Sequence, residues 1–124
     1  MENATGVLSS EVIHFRNGEV SKIEISYPGS NLILVYTYTY DGKNNPAKNV
    51  TGKSKIAFTN SDNPGMFQNI VSKVEGAQAS PQNNVTTTIQ YTYNENNYPL
   101  TSVTSQQRGT DAPVNMVIPV QYFY

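Results

Sequence analysis

Tyr38-Thr39-Tyr40-Asp41-Gly42-Lys43-Asn44-Asn45-Pro46-Ala47-Lys48-Asn49-Val50-Thr51 aligns without gaps on Tyr91-Thr92-Tyr93-Asn94-Glu95-Asn96-Asn97-Tyr98-Pro99-Leu100-Thr101-Ser102-Val103-Thr104, and seven of the fourteen positions are identical. A repeat of this kind is read before anything else, because each copy marks one supersecondary unit. Both copies open on alternating Tyr and Thr and pass into Asn, Asp or Gly, residues that tolerate positive φ or close Asx turns. The unit reads as a strand, a reversal and a second strand, which is a hairpin. Fainter relatives are Phe58 to Pro64, with an aromatic six residues before a Pro, and Phe15 to Ile23 around Asn17-Gly18.

Period two extends outward from these blocks and tells which side chains share a face. Leu32, Leu34, Tyr36, Tyr38 and Tyr40 fall on one face of the first copy, and Val85, Thr87, Ile89, Tyr91 and Tyr93 on one face of the second. The alternate positions of the second copy, Thr86, Thr88, Gln90 and Thr92, form a wholly polar row that should meet water. Strands are predicted at 6–16, 19–27, 31–40, 47–58, 70–75, 85–93, 99–107 and 114–124. The segment 64–73 is the one place for a short helix, with Asn63 as cap, Pro64 in the first turn and Met66, Phe67, Ile70, Val71 and Val74 as an approximate stripe. The same residues also suit an irregular strand. Residues 76–84 and 105–113 are turn-rich and aperiodic and read as exposed loops.

Composition agrees with a β fold. Val and Ile number 20 against 4 Leu, with 12 Thr and 9 Tyr, the set that suits a pleated, half-buried surface. A chain of 124 residues matches one domain, spanning 1–124, and can bury roughly two thirds of its unfolded surface. The apolar fraction of 37% implies a thin core, as in a sheet with one covered and one wet face. The predicted fold is all-β, an antiparallel meander sheet built from repeated Tyr-rich hairpins.

A net charge of −1, with 14% charged residues, provides no basic field for a phosphate backbone, so nucleic acid is not an expected partner. Fifteen Asn, together with Ser and Thr, carry the solubility, a balance read as extracytoplasmic and bacterial. With no Cys there is no disulfide framework or thiolate nucleophile. Glu2, Asn3 and Ala4 follow Met1 where a leader would be basic and then apolar, so no signal peptide is expected within this sequence.

The paired blocks YTYDGKNNPAKNVTG and YTYNENNYPLTSVT resemble those of secreted Bacteroidetes lipoproteins of unknown function, whose repeats are similar to the YD-type repeats of bacterial surface proteins. The resemblance runs from Leu32 to Tyr124 and carries no catalytic motif. It implies a signal peptide and lipid-modified Cys upstream of Met1, a curved antiparallel meander sheet or partial barrel after it, a membrane association through that anchor alone, and an outer-membrane or periplasmic location. The second block departs from the pattern by having Asn94 where Asp stands in the first.

No catalytic, metal or cofactor set is nominated. His14 is the only histidine, and one imidazole falls short of the three or four protein ligands of a zinc site. The carboxylates Glu11, Glu19, Glu24, Asp41, Asp62, Glu75, Glu95 and Asp111 are scattered, whereas glycoside hydrolysis needs two of them held about 5 to 10 Å apart. The oxygen-rich stretches 41–45 and 60–63 are explained by turn chemistry before calcium. Asn3-Ala4-Thr5, Asn49-Val50-Thr51 and Asn84-Val85-Thr86 match a glycosylation pattern, as a chain full of Asn and Thr does by composition.

The candidate ligand-binding residues are Tyr36, Tyr38, Tyr40, Tyr91 and Tyr93. Aromatic rings in a row offer an apolar face with a polar tip, suited to a glycan or protein ligand. The alternative is cross-strand packing that pins register in a thin core. The expected role is a non-enzymatic binding or scaffold module, with a purely architectural domain, or a carbohydrate-active enzyme with dispersed carboxylates, as alternatives.

Overall fold

The computed structural model describes residues 9–49, 64, 65, 67–115 and 120–123. It is all-β. Strands β1 (Ser10–Arg16), β2 (Glu19–Ser26), β3 (Ile33–Tyr40), β4 (Ile70–Ala77), β5 (Val85–Tyr93), β6 (Pro99–Arg108) and β7 (Val114–Asn115) follow one another as antiparallel neighbours in chain order. A second short strand, β8 (Val120–Gln121), also pairs with β6. The sheet is open, since β1 is paired with β2 alone among the described strands. The single helical element among them is a 3-10 turn, Pro81–Asn83.

The β1–β2 reversal shows why the sequence folds where it does. Arg16 pairs with Glu19, so the loop is Asn17-Gly18, with φ of 53° and 81°. A two-residue hairpin that matches strand twist needs positive φ at both positions, which Asn-Gly supplies at least steric cost. A bulge between His14 and Phe15 follows, and the extra residue, Ser21, donates its hydroxyl to His14 O at 3.2 Å.

The two Tyr-Thr-Tyr blocks end β3 and β5 in the same way. Each ladder is bulged at the equivalent step, opposite Thr39-Tyr40 and opposite Thr92-Tyr93, with the extra residue, Val71 or Leu100, on the partner strand. Each then enters an Asx turn. Asn94 N donates to Tyr98 O (2.9 Å), and Asn94 Oδ1 accepts from Asn96 N (2.9 Å) and Tyr98 N (3.0 Å). Asp41 N donates to Asn69 O (3.1 Å), and Asp41 Oδ1 accepts from Lys43 N (2.7 Å) and Asn69 N (3.3 Å). Asn69 thus stands where Tyr98 stands in the second copy.

That equivalence corrects the expected first hairpin. β3 does not fold back onto a strand at 47–58: residues 46–49 form a turn, and 50–58 lie outside the described residues. β3 pairs instead with β4, from Leu34↔Ala77 to Tyr40↔Ile70. The second copy closes at once through residues 94–98, whereas the first closes only after the excursion 41–69. The predicted match of Pro46 with Pro99 is therefore not structural, because Pro99 faces Tyr93 in the ladder while Ile70 faces Tyr40.

Two other expectations shift. Among the described residues of 64–73 there is no helix; Phe67 and Gln68 form a bend and the strand begins at Ile70, while Asn63 and Met66 lie outside the described residues. The cause is tertiary, since Glu19 Oε2 accepts from Phe67 N (3.0 Å) and Gln68 N (2.6 Å), holding the backbone open. Residues 105–108 belong to β6, and Gly76 and Ala77 to β4, so both predicted loops start later than composition suggested. The expected strand positions 6–8, 116–119 and 124, and Asn3 to Thr5, lie outside the described residues.

Register puts both Tyr rows on one face. Ile23 faces Tyr36, Tyr36 faces Glu75, and Glu75 faces Val85; Tyr38 faces Lys73, and Lys73 faces Thr87. The core is small: Val20, Ile23, Tyr38 and Ile70, with Ile13, Ile25, Tyr36 and Tyr40 packed against it. On the opposite face, Thr88, Gln90 and Thr92 are exposed and Thr86 is half-buried. Thr92 and Thr101 hydroxyls meet there across β5 and β6 at 2.6 Å.

The shared Asx geometry gives a direct test. Asp41→Ala leaves several donors without their acceptor and should lower stability by about 2–4 kcal/mol. Asp41→Asn keeps the Oδ1 acceptor that the second copy uses but replaces Oδ2, the acceptor for Asn69 Nδ2 and the Tyr93 hydroxyl, with a donor, so it should recover only part of that loss and remain about 1–2 kcal/mol below the parent, both read from urea unfolding midpoints.

Candidate functional site

The reversals of the two repeats lie against each other. Asn44 N donates to Asn97 O (2.9 Å), Asn44 Nδ2 to Asn96 O (2.7 Å), and Lys43 Nζ to Asn97 Oδ1 (3.2 Å). Lys43 also sits over the Tyr93 ring, 5.5 Å from its centroid, and Lys48 over the Tyr98 ring at 5.7 Å. Lys48 Nζ donates to Asn44 Oδ1 at 2.7 Å. The amide oxygens of Asn44 and Asn45 thus accept from Lys48 Nζ and Ala47 N, and that of Asn97 from Lys43 Nζ.

Asp41 Oδ2 completes the junction, accepting from Asn69 Nδ2 (3.2 Å) and from the Tyr93 hydroxyl. Asn69 Nδ2 also donates to Asn44 O (3.1 Å). Asn45 is held as firmly: its Nδ2 donates to Gln68 O (3.1 Å) and its Oδ1 accepts from Ala47 N (2.8 Å). Both amides are buried, at 4% exposure for Asn69 and 7% for Asn45.

Beside this junction, on the Tyr-bearing face, is a cleft of about 260 Å³. Its floor is Ile70, Lys73, Thr87, Ile89 and Tyr91 of β4 and β5, and Asn45 to Ala47, Asn69 and Tyr122 complete its lining. Tyr91 is fixed by donating its hydroxyl to Ile70 O at 2.9 Å. Lys73 Nζ lies 2.7 Å from Glu75 Oε2 with its side chain 14% exposed.

The five candidate tyrosines separate. Tyr38 is a core residue at 5% exposure, and Tyr36 and Tyr40 pack on that core. Tyr40 donates its hydroxyl to Val20 O at 2.7 Å. Tyr91 and Tyr93 are half-buried, their ring centroids 5.9 Å apart, and Tyr91 lines the cleft. Tyr38 and Tyr40 border a second concavity of about 320 Å³ with Arg16, Glu19 and Gln68. Sequence reasoning missed Asn45, Asn69, Lys73 and Tyr122, which reach the cleft from loops and from a strand that alternation alone did not connect to Tyr91.

His14 and Glu24 form a surface pair on the wet face, with Nε2 and Oε1 2.8 Å apart. The hydrogen bond from His14, opposed by partial desolvation and aided by Lys22, holds the Glu24 carboxyl below the ordinary carboxylate value. Among the described residues no group of three or more His, Cys, Asp or Glu converges as a metal site, and no helix is long and apolar enough to cross a membrane. No family model, curated protein or solved structure matches the chain.

The tyrosine environments make an alkaline test. Burial raises the Tyr40 and Tyr91 hydroxyls well above the ordinary value of 10.0, with Glu19 adding for Tyr40 and Tyr122 and Asp41 for Tyr91. Tyr93 is raised by desolvation and then by its hydrogen bond and charge interaction with Asp41. The unfolded chain ionises these groups first, so their stabilisation is complete below the unfolded value and is lost as pH rises past it toward the folded values. Phenolate absorbance for these three should therefore rise together with loss of the circular-dichroism signal. Independent ionisation of Tyr40, Tyr91 and Tyr93 in a still-folded chain would contradict this.

Proposed function

We propose that the chain is a non-enzymatic binding or scaffold module of the bacterial cell surface or periplasm, of the lipoprotein kind its Tyr repeats resemble, and that its ligand is a glycan or protein held on the Tyr-bearing face. The observation that carries this reading is the cleft at Tyr91. Ring, amide and ammonium groups border it, and the amides and hydroxyl are already held in place by internal hydrogen bonds. Side chains fixed before a ligand arrives lose little entropy when it binds, which is how a small contact area yields useful affinity. The abundance of Asn, Ser and Thr over Lys and Glu supports an extracytoplasmic setting.

One observation favours a purely architectural role. Tyr40, Tyr91 and Tyr93 all donate their hydroxyls inward, to Val20 O, Ile70 O and Asp41 Oδ2, as residues do when their task is to fix register.

The two readings part in a glycan-array and protein-capture screen of the immobilised chain, run beside Tyr91→Ala and Tyr36→Ala. A binding module should give a signal that falls at least tenfold in Tyr91→Ala with circular dichroism retained. A signal unchanged by Tyr91→Ala, or no retained ligand, with the variant altered only in melting temperature, would leave the architectural reading.

A further inference from the structure

We infer that the cleft beside Tyr91 takes a single neutral sugar ring, a terminal or branch residue of a glycan, rather than a peptide segment; this rests on the binding-module reading above. Three observations lead there.

The first is the position of the cleft in the sheet. Its floor is β4 and β5, and both are interior strands, β4 laddered to β3 and β5, and β5 to β4 and β6. An extended peptide gains most of its affinity by adding a strand to a free sheet edge, where backbone donors and acceptors are open. Lys73 and Thr87 lie within the β4–β5 ladder, which runs from Ser72↔Thr88 to Glu75↔Val85, and beyond its end Ile70 O already accepts from the Tyr91 hydroxyl, so the cleft is not a sheet edge laid open along its length. Among the described strands the one paired on a single side at the start of the sheet is β1, at the far side of β2 and β3.

The second is size. About 260 Å³ lies just under the roughly 300 Å³ at which small-molecule pockets ordinarily begin. It suits one ring-sized group with the remainder of the ligand in solvent.

The third is chemistry. A pyranose has a C–H face and a rim of hydroxyls. Tyr91 and Tyr122 provide aromatic surface for the face. Thr87 provides a hydroxyl at the rim, Asn45 keeps one Nδ2 hydrogen beyond its bond to Gln68 O, and Asn69, whose Nδ2 hydrogens go to Asp41 and Asn44, offers its Oδ1 as an acceptor. Lys73 adds a donor whose charge is balanced by Glu75 at 2.7 Å, so the cleft carries no net charge to select a phosphate or carboxylate. A neutral polyhydroxylated ring meets these demands, whereas an anionic group would have to displace Glu75.

The test is a titration of the isotopically labelled full chain, read in amide correlation spectra, with methyl glycosides of neutral hexoses and of N-acetylhexosamines, and in parallel with inorganic phosphate and an unstructured peptide of mixed composition. The proposal expects fast-exchange shifts from neutral glycosides at Lys73, Thr87, Ile89, Tyr91 and Tyr122. Thr87→Trp, which fills the floor, should weaken them at least tenfold at unchanged melting temperature. Ala47→Trp fills the cleft from its wall and serves if the strand variant does not fold. Glycoside shifts confined to other residues, or cleft shifts that survive both fillings, overturn the assignment while leaving a glycan-binding module. Cleft shifts from the peptide or phosphate alone overturn the sugar while leaving the module. A chain that retains a partner in the capture screen yet shows no glycoside shift overturns only this inference; silence in both experiments overturns the module reading as well.

Discussion

The Asp41 carboxylate ties together three pieces of chain that are far apart in sequence. It accepts hydrogen bonds from Lys43 N in its own turn, from Asn69 N and Nδ2 at the mouth of β4, and from the Tyr93 hydroxyl at the end of β5. Because the first repeat closes only after the excursion 41–69, β3 and β4 have no short loop to set their register. The Asx turn does this instead, through the bond from Asp41 N to Asn69 O and the carboxylate's return bond from Asn69 N. In the second repeat a neutral Asn94 suffices, since Tyr98 is only four residues away. The charge in the first copy compensates for the longer closure: hydrogen bonds to an ionised acceptor are roughly twice as strong as neutral ones.

A further carboxylate, this one buried, performs a related task at the same end of β3. Glu19, 2% exposed, accepts from Phe67 N and Gln68 N, so the approach to β4 is held from β2 as well as from the turn. With so few fully buried apolar residues, this sheet relies on polar groups that are individually satisfied. Such networks are costly to break, because each lost partner leaves a buried group unpaired. The cleft inherits its rigidity from the same bonds, as Asn45 and Asn69 are both members of the junction and part of its wall.

Much of the fold was legible in the sequence. Alternation located the strands around Tyr38 and Tyr91 and put each Tyr row on one face of its strand, and the gapless repeat marked the equivalent starts of the two turns, at Asp41 and Asn94. The first hairpin was misread because the likeness of Pro46 to Pro99 is local, whereas the partner of β3 is decided by Asn69 and Glu19, which no short-range pattern links. Residues 64–73 suggested a helix for the same reason: the apolar spacing allowed it, and bonds from a distant strand prevented it. The division of the tyrosines was only half legible. Period two gives the face, but depth of burial depends on what lies over the face, and the residues over Tyr91 come from loops and from the chain after β8.

The account turns on β3 pairing with β4 across the excursion, with the two reversals clasped. Cross-strand nuclear Overhauser contacts measure this directly. It requires backbone contacts between Tyr38 and Lys73 and between Tyr36 and Glu75, together with side-chain contacts from Tyr93 to Asp41 and Lys43. Contacts from Tyr36 and Tyr38 to residues 47–58 instead would show a local first hairpin and contradict it.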